Sequence, residues 1–170
     1  MDDLVTTEHL DTGFWIALIV LHLLAAATDV RRFRIPNAIP IAVASVFALR
    51  VVTLGLWDLA IPALLLGAAV LSVGFLLFAL RWLGGGDVKL ITALSLWAGP
   101  DNFFLIVYTI ALSGGLMALG LLVSLTLLAV SAKVAGKERQ GSLIRGRRIP
   151  YGVAIAAGAI HLSFDRIGVL

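Results

Sequence analysis

The stretch LAIPALLLGAAVLSVGFLLFAL (Leu59–Leu80) decides the fold. Its 22 residues contain no charged side chain, and Ser72 carries the only hydroxyl. About 20 consecutive apolar residues in a helix span the hydrocarbon layer of a bilayer. Backbone groups in lipid must be paired internally, which leaves helices or closed barrels. The apolar character here is continuous, without the alternation of a barrel strand, so a helix is the reading. The same texture recurs on both sides. Candidate spans run from about Gly13 to Thr28, Asn37 to Leu54, Leu59 to Leu80, Asp87 to Trp97, Phe103 to Ser131 and Tyr151 to Phe164. The fourth is short, and the fifth is longer than a bilayer needs. The 170-residue chain is 61% hydrophobic, well above the roughly 45–50% of soluble domains. No polar stretch is long enough to fold alone. The expectation is one all-α integral membrane domain over residues 1–170, with six transmembrane helices.

Charge sets the orientation. Alternate gaps between the spans hold Arg31, Arg32 and Arg34, then Arg81 and Lys89, then Lys133, Lys137, Arg139, Arg145, Arg147 and Arg148. These are 11 of the 13 basic residues; Arg50 and Arg166 are left on the other side with most of the acids. Basic loops stay in the cytoplasm, so both termini are expected outside. Trp15, Trp57 and Trp97 fall at outer ends and Trp82 at an inner end, which reads as interfacial anchoring. Gly55–Asp58 and Gly99–Asn102 read as tight outer turns. The segment Ser131–Ile149 reads as a basic cytoplasmic loop near anionic headgroups. The first dozen residues carry Asp2, Asp3, Glu8 and Asp11 and no basic residue, unlike a cleavable signal peptide. There is no cysteine, so disulfides, thiolate metal sites and a cysteine nucleophile are excluded.

Two carboxylates remain at one depth. Asp29 ends the first span and Asp87 opens the fourth, both at the cytoplasmic boundary. Ionisable residues at membrane depth usually face the bundle interior or a water-filled cavity. Two that meet can share a proton, one activating water while its protonated partner polarises a carbonyl. Gly84, Gly85 and Gly86 precede Asp87; they permit positive φ and close approach of a substrate backbone. Ile35-Pro36-Asn37 follows Asp29, with Asn37 as an N-cap candidate and Pro36 stiffening the approach. Position alone also fits two aspartates that simply end spans among headgroups. From the residues alone, a peptidase and an ion- or proton-coupled transporter using the same two aspartates stand level.

The segments Asp29-Val-Arg-Arg-Phe-Arg-Ile-Pro-Asn37 and Gly84-Gly-Gly-Asp87-Val-Lys89-Leu90, in that order on a six-span layout, resemble the paired signature of type IV prepilin peptidases. These are membrane aspartyl proteases of the GxGD group. Arg148-Ile149-Pro150-Tyr151-Gly152 is similar to the Pro-Tyr-Gly that opens that family's last helix. The resemblance implies cleavage of the short basic leader from prepilins at the cytoplasmic face of the inner membrane, with Asp29 and Asp87 as the catalytic pair. Longer members carry an N-terminal cytoplasmic region with paired cysteines, linked to N-methylation. This chain resembles instead the short peptidases of tight-adherence (Flp) pili, which implies cleavage without methyl transfer and Flp-type pilin or pseudopilin precursors as partners. No cofactor, no metal and no nucleic-acid partner is expected. Lys89 lies two positions after Asp87, roughly 200° round an ideal helix, and reads as snorkelling to the interface. Tyr151 reads as an interface anchor that could line the site. His22 and His161 read as partners in interhelical hydrogen bonds. Gly114, Gly115, Gly120, Gly152 and Gly158 read as close helix contacts.

Overall fold

A computed structural model describes residues 2–134 and 150–168. The regular structure among them is helical: α1 (Asp2–Arg32), α2 (Ala38–Leu54), α3 (Trp57–Ala79), α4 (Gly85–Val134) and α5 (Tyr151–Ile167). The all-α expectation holds, while the element boundaries shift. Helix α1 starts well before Gly13. Candidate spans four and five are two helical arms of α4 joined across a kink at Gly99 (φ 60°, ψ 178°). The chain folds back there. Ile91 on the first arm (85–98) and Val107 on the second (100–134) line one cavity, and Asp87 and Gly114 line another. The expected turn Gly99–Asn102 thus shrinks to one residue. Its backbone conformation belongs essentially to glycine, and Pro100 opens the second arm where a missing N–H is harmless. The basic loop expected from Ser131 is helical as far as Val134; its remainder lies outside the described residues.

Helix α1 packs chiefly on α5, α3 on α4, and α4 on α5, while α2 bridges α1 and α4. Helices α1 and α5 run antiparallel: Gly152 meets Asp29 at one end, and Arg166 shares a cavity with Asp11 and Trp15 at the other. Among the described residues, three helical stretches are long and apolar enough to cross a membrane: Thr6–Arg32, Trp57–Ala79 and Gly85–Leu128. Helix α2 is apolar but has only 17 residues. Helix α3 is built inside out. Its buried residues are small (Ala63, Gly67, Gly74), and its large ones, such as Ile61, Leu65 and Phe75, face outward. A Cβ on Gly67 would lie 2.7 Å from the Leu96 side chain, and one on Gly74 would lie 2.6 Å from Val88. Small inward residues that let large neighbours interlock are what helices use when the surroundings are as apolar as the core.

The end of the bundle away from Asp29 is closed by a cluster around Arg50. Its Nε and Nη2 donate to the Asp11 carboxylate at 2.6 and 3.2 Å, and Trp15 Nε1 donates to the same carboxylate at 3.2 Å. The guanidinium lies 5.0 Å from the Trp15 ring centre and 5.8 Å from that of Trp97. The two indoles meet edge to face, and Trp97 Nε1 donates to the Val43 carbonyl. Trp15 and Trp97 are therefore core residues, 3% and 4% exposed, and not interfacial anchors; Trp57 and Trp82 are the exposed pair. His22 also departs from expectation. It is fully buried, its Nδ1 hydrogen-bonds the Leu18 carbonyl of its own helix at 2.9 Å, and its Nε2 has no partner.

The Arg50 cluster predicts a stability effect. Exposed pairs contribute up to about 1 kcal/mol, whereas breaking a buried pair costs about 3–5 kcal/mol. The Arg50 side chain is 11% exposed and that of Asp11 34%, so Arg50→Ala should cost about 2 kcal/mol, between those limits. Arg50→Lys should recover only part, because it lacks the planar fork. Thermal unfolding in detergent measures both variants.

Candidate active site

Two left-handed turns deliver the two halves of the site. Helix α1 ends at Phe33 (φ 49°), whose N–H donates to the Asp29 carbonyl at 2.7 Å. Helix α3 ends at Arg81 (φ 61°): Arg81 N–H donates to the Phe78 carbonyl and Trp82 N–H to the Leu77 carbonyl, each at 2.9 Å. This is a Schellman ending with arginine where glycine is usual. The first turn leads into Ile35-Pro36-Asn37, the second into Gly84-Gly85-Gly86.

The two segments dock on each other. A Cβ on Gly86 would lie 3.1 Å from the Ile35 Cβ and 3.5 Å from its carbonyl oxygen. Lys89 Nζ donates to Asn37 Oδ1 at 3.0 Å. Lys89 thus ties the α1–α2 connection to α4 while its side chain stays exposed. Asn37 occupies the N-cap position of α2, but its backbone is helical (φ −58°, ψ −25°) and its side chain makes no capping bond; its amide oxygen is used by Lys89. Pro36 is exposed, and its carbonyl accepts the Ile39 N–H.

The glycines work by size. None of Gly84, Gly85 and Gly86 has a positive φ, so the left-handed freedom they permit is not used. A Cβ on Gly84 would lie 2.6 Å from Asp87 Oδ2, and one on Gly85 3.2 Å from the Phe78 ring. A side chain at 84 would push the carboxylate out of place.

Asp29 is 6% exposed, and its Oδ2 accepts the Gly152 N–H at 2.8 Å. Gly152 is the second residue of α5, so its N–H is among the four that a helix leaves without an internal acceptor. Each group supplies the other's missing partner. A Cβ on Gly152 would lie 3.0 Å from both Asp29 Cβ and Oδ2. Asp29 and Asp87 are near enough for their charges to interact. Asp87 and Tyr151 line a cleft of about 290 Å³, and Tyr151 with Gly84 lines a second, of about 710 Å³. The small residues divide. Gly114, Gly152 and Gly158 meet neighbouring helices as expected, whereas a Cβ on Gly115 or Gly120 would meet nothing within 4 Å. Among the described residues, no group of three or more His, Asp or Glu side chains could hold a metal ion.

Sequence reasoning did not assign Gly152 to the site or Ile35 to the docking contact. The Pro-Tyr-Gly string was the available signal for Gly152; nothing marks Ile35 except its place before Pro36.

The docking has a direct test in this cysteine-free chain. Disulfides need Cβ atoms about 3.5–4.5 Å apart, a few tenths beyond the Ile35–Gly86 separation. Ile35→Cys combined with Gly86→Cys should form an intramolecular disulfide under mild oxidation, read by mass spectrometry. Persistently free thiols would contradict the contact.

Residues 16–130, more than half of the chain, match the type IV leader peptidase family. The match takes in both aspartates, Asn37, the three glycines and Lys89; α5, which brings Gly152 to Asp29, lies beyond it. Comparison with curated proteins and with solved structures finds no match. On the extent of that match, the chain belongs to the type IV leader peptidase family.

Proposed function

We propose that the protein is an aspartic endopeptidase of the cytoplasmic (inner) membrane that removes the leader peptide from type IV prepilins, with Flp-type pilin or pseudopilin precursors as its substrates. The observation that carries this reading is the start of α5, where Gly152 holds the buried Asp29 and the adjacent Tyr151 borders a cleft with Asp87. Six crossings, with both termini outside, place the pair at the cytoplasmic face, where a basic leader lies. The charge asymmetry of the connecting segments and the fold-back at Gly99 support that count. A carrier would use carboxylates near the bilayer midplane in broken helices. Here Asp29 sits near the end of α1 and Asp87 near the start of α4.

The mechanism needs only these groups and water. One carboxylate, ionised, takes a proton from water as it attacks the amide carbon. The other, protonated, donates a hydrogen bond to the carbonyl oxygen as charge develops there. A proton then passes to the leaving nitrogen as the C–N bond breaks. Asp29 is held by the Gly152 N–H, so its orientation is set before substrate arrives, which removes part of the ordering cost from the chemical step.

The test is reconstitution. Protein purified in detergent, incubated with a leader-bearing prepilin, should yield a product whose N-terminal sequence begins at the leader boundary. Asp29→Asn and Asp87→Asn, folded as wild type, should each lose roughly a thousandfold or more, within the range for an acid or base group. Full activity in either variant would refute the pair. The pH–rate profile should be bell-shaped, falling where both carboxylates are protonated and where both are ionised; a flat profile contradicts a shared proton. Gly152→Ala should keep helical content, since alanine suits a helix better than glycine. It should still slow cleavage by roughly tenfold or more by shifting Asp29.

A further inference from the structure

We propose that the end of the bundle away from Asp29 holds the headgroup of an aminophospholipid. Its phosphate lies between Arg50 and Arg166, its ammonium against Glu8 and Asp101, and its acyl chains leave along the apolar wall formed by α2, α3 and the first arm of α4. The proposal is independent of the peptidase reading above.

Two cavities meet at this end. One, of about 480 Å³, is lined by Glu8, Asp11, Thr12 and Leu54. The other, of about 380 Å³, is lined by Phe47, Leu59, Pro62, Leu96 and Asp101. Trp15, Arg50 and Arg166 line both. Each volume is within the roughly 300–1,000 Å³ of small-molecule sites. The joined space passes from a wall of acids and hydroxyl to a wall of hydrocarbon, as a phospholipid passes from headgroup to chain. Its depth agrees. Glu8 and Leu59 lie near the starts of two stretches apolar enough to cross a membrane, Thr6–Arg32 and Trp57–Ala79.

The two arginines come from helices that do not pack on each other, α2 and α5. Asp11 answers Arg50 alone. It takes Nε and Nη2, two of the five N–H donors of a guanidinium, so the fork has donors left for a second acceptor. Among the described residues Arg166 has no ion-pair partner. A cation in the last turn of α5 suits the helix dipole. That accounts for the place of Arg166 on its helix, but not for its lining both cavities that Arg50 lines. A phosphate matches the guanidinium fork, and basic pockets between transmembrane helices hold lipid headgroups in this way.

The acids choose the headgroup. With Asp11 engaged by Arg50, one cation (Arg166) and two exposed carboxylates (Glu8 and Asp101) remain around the joined space. An anionic headgroup would meet those carboxylates as like charges. A primary ammonium beside the phosphate brings three N–H donors to them, whereas a choline group brings none.

The experiment titrates delipidated wild type in detergent, followed by native mass spectrometry. The ligands are phosphatidylethanolamine, phosphatidylglycerol, phosphatidylcholine and chain-free glycerophosphoethanolamine. Phosphatidylethanolamine should bind saturably and roughly tenfold or more tighter than each of the others. Arg166→Gln should weaken it by roughly tenfold, the scale of a charged hydrogen bond. Arg34→Gln, at an exposed arginine of the opposite end, should leave it unchanged. The double variant Glu8→Gln/Asp101→Asn should bring phosphatidylethanolamine down to the level of phosphatidylglycerol. All the replaced side chains are exposed, so the variants should fold. Equal binding of the lipids by wild type, or equal losses in Arg166→Gln and Arg34→Gln, overturns the proposal. A chain-free headgroup that binds as tightly as the lipid also overturns it, in favour of a soluble phosphate compound. A double variant that keeps the preference overturns the place of the ammonium.

Discussion

The hydrogen bond from the Gly152 N–H to the Asp29 carboxylate is the contact on which the rest of the arrangement depends. A carboxylate this buried needs a partner, and a helix start needs acceptors for its first N–H groups. One 2.8 Å bond between α5 and the last turn of α1 meets both needs. A side chain at 152 would press on Asp29. The position of α5 follows, and with it Tyr151, which borders both clefts beside Asp87. Asp87 is placed by a separate device, the docking of Gly86 on Ile35 and of Lys89 on Asn37. Neither carboxylate is positioned by its own helix alone.

The two ends of the bundle treat charge in opposite ways. At one end Arg50 and Asp11 neutralise each other beside two indoles. At the other, Asp29 and Asp87 lie near enough for their like charges to interact, and Asp87 borders an open cleft. The first arrangement is that of a structural clasp. The second favours neither full ionisation nor close packing, which suits a site that exchanges protons with a substrate.

Much of this was legible in the sequence because it depends on local composition. The length and continuity of Leu59–Leu80 read as a helix long and apolar enough to cross a bilayer, and the place of Asp29 and Asp87 on the span pattern put two distant residues at one end. What escaped depends on tertiary neighbours. Arg50 looked like a lone outer charge because its partner Asp11 lies 39 positions away. Trp15 and Trp97 looked like interface anchors because end position does not tell whether a side chain turns inward. Gly84–Gly86 read as conformational freedom, whereas they make room for Asp87, Phe78 and Ile35. Asn37 read as a cap, but its helical backbone leaves the side chain free for Lys89. Spans four and five are joined by less chain than expected because one glycine at the ε conformation suffices to reverse it.

The central claim is that Asp29 and Asp87 act as one unit. A double-mutant cycle on cleavage tests it most directly, with single-turnover rates for wild type, Asp29→Asn, Asp87→Asn and the double variant on one prepilin. Groups that act together are grossly non-additive. The account predicts that the double variant is no slower than the slower single variant. Losses that multiply would mean two independent contributions, and would contradict a shared site.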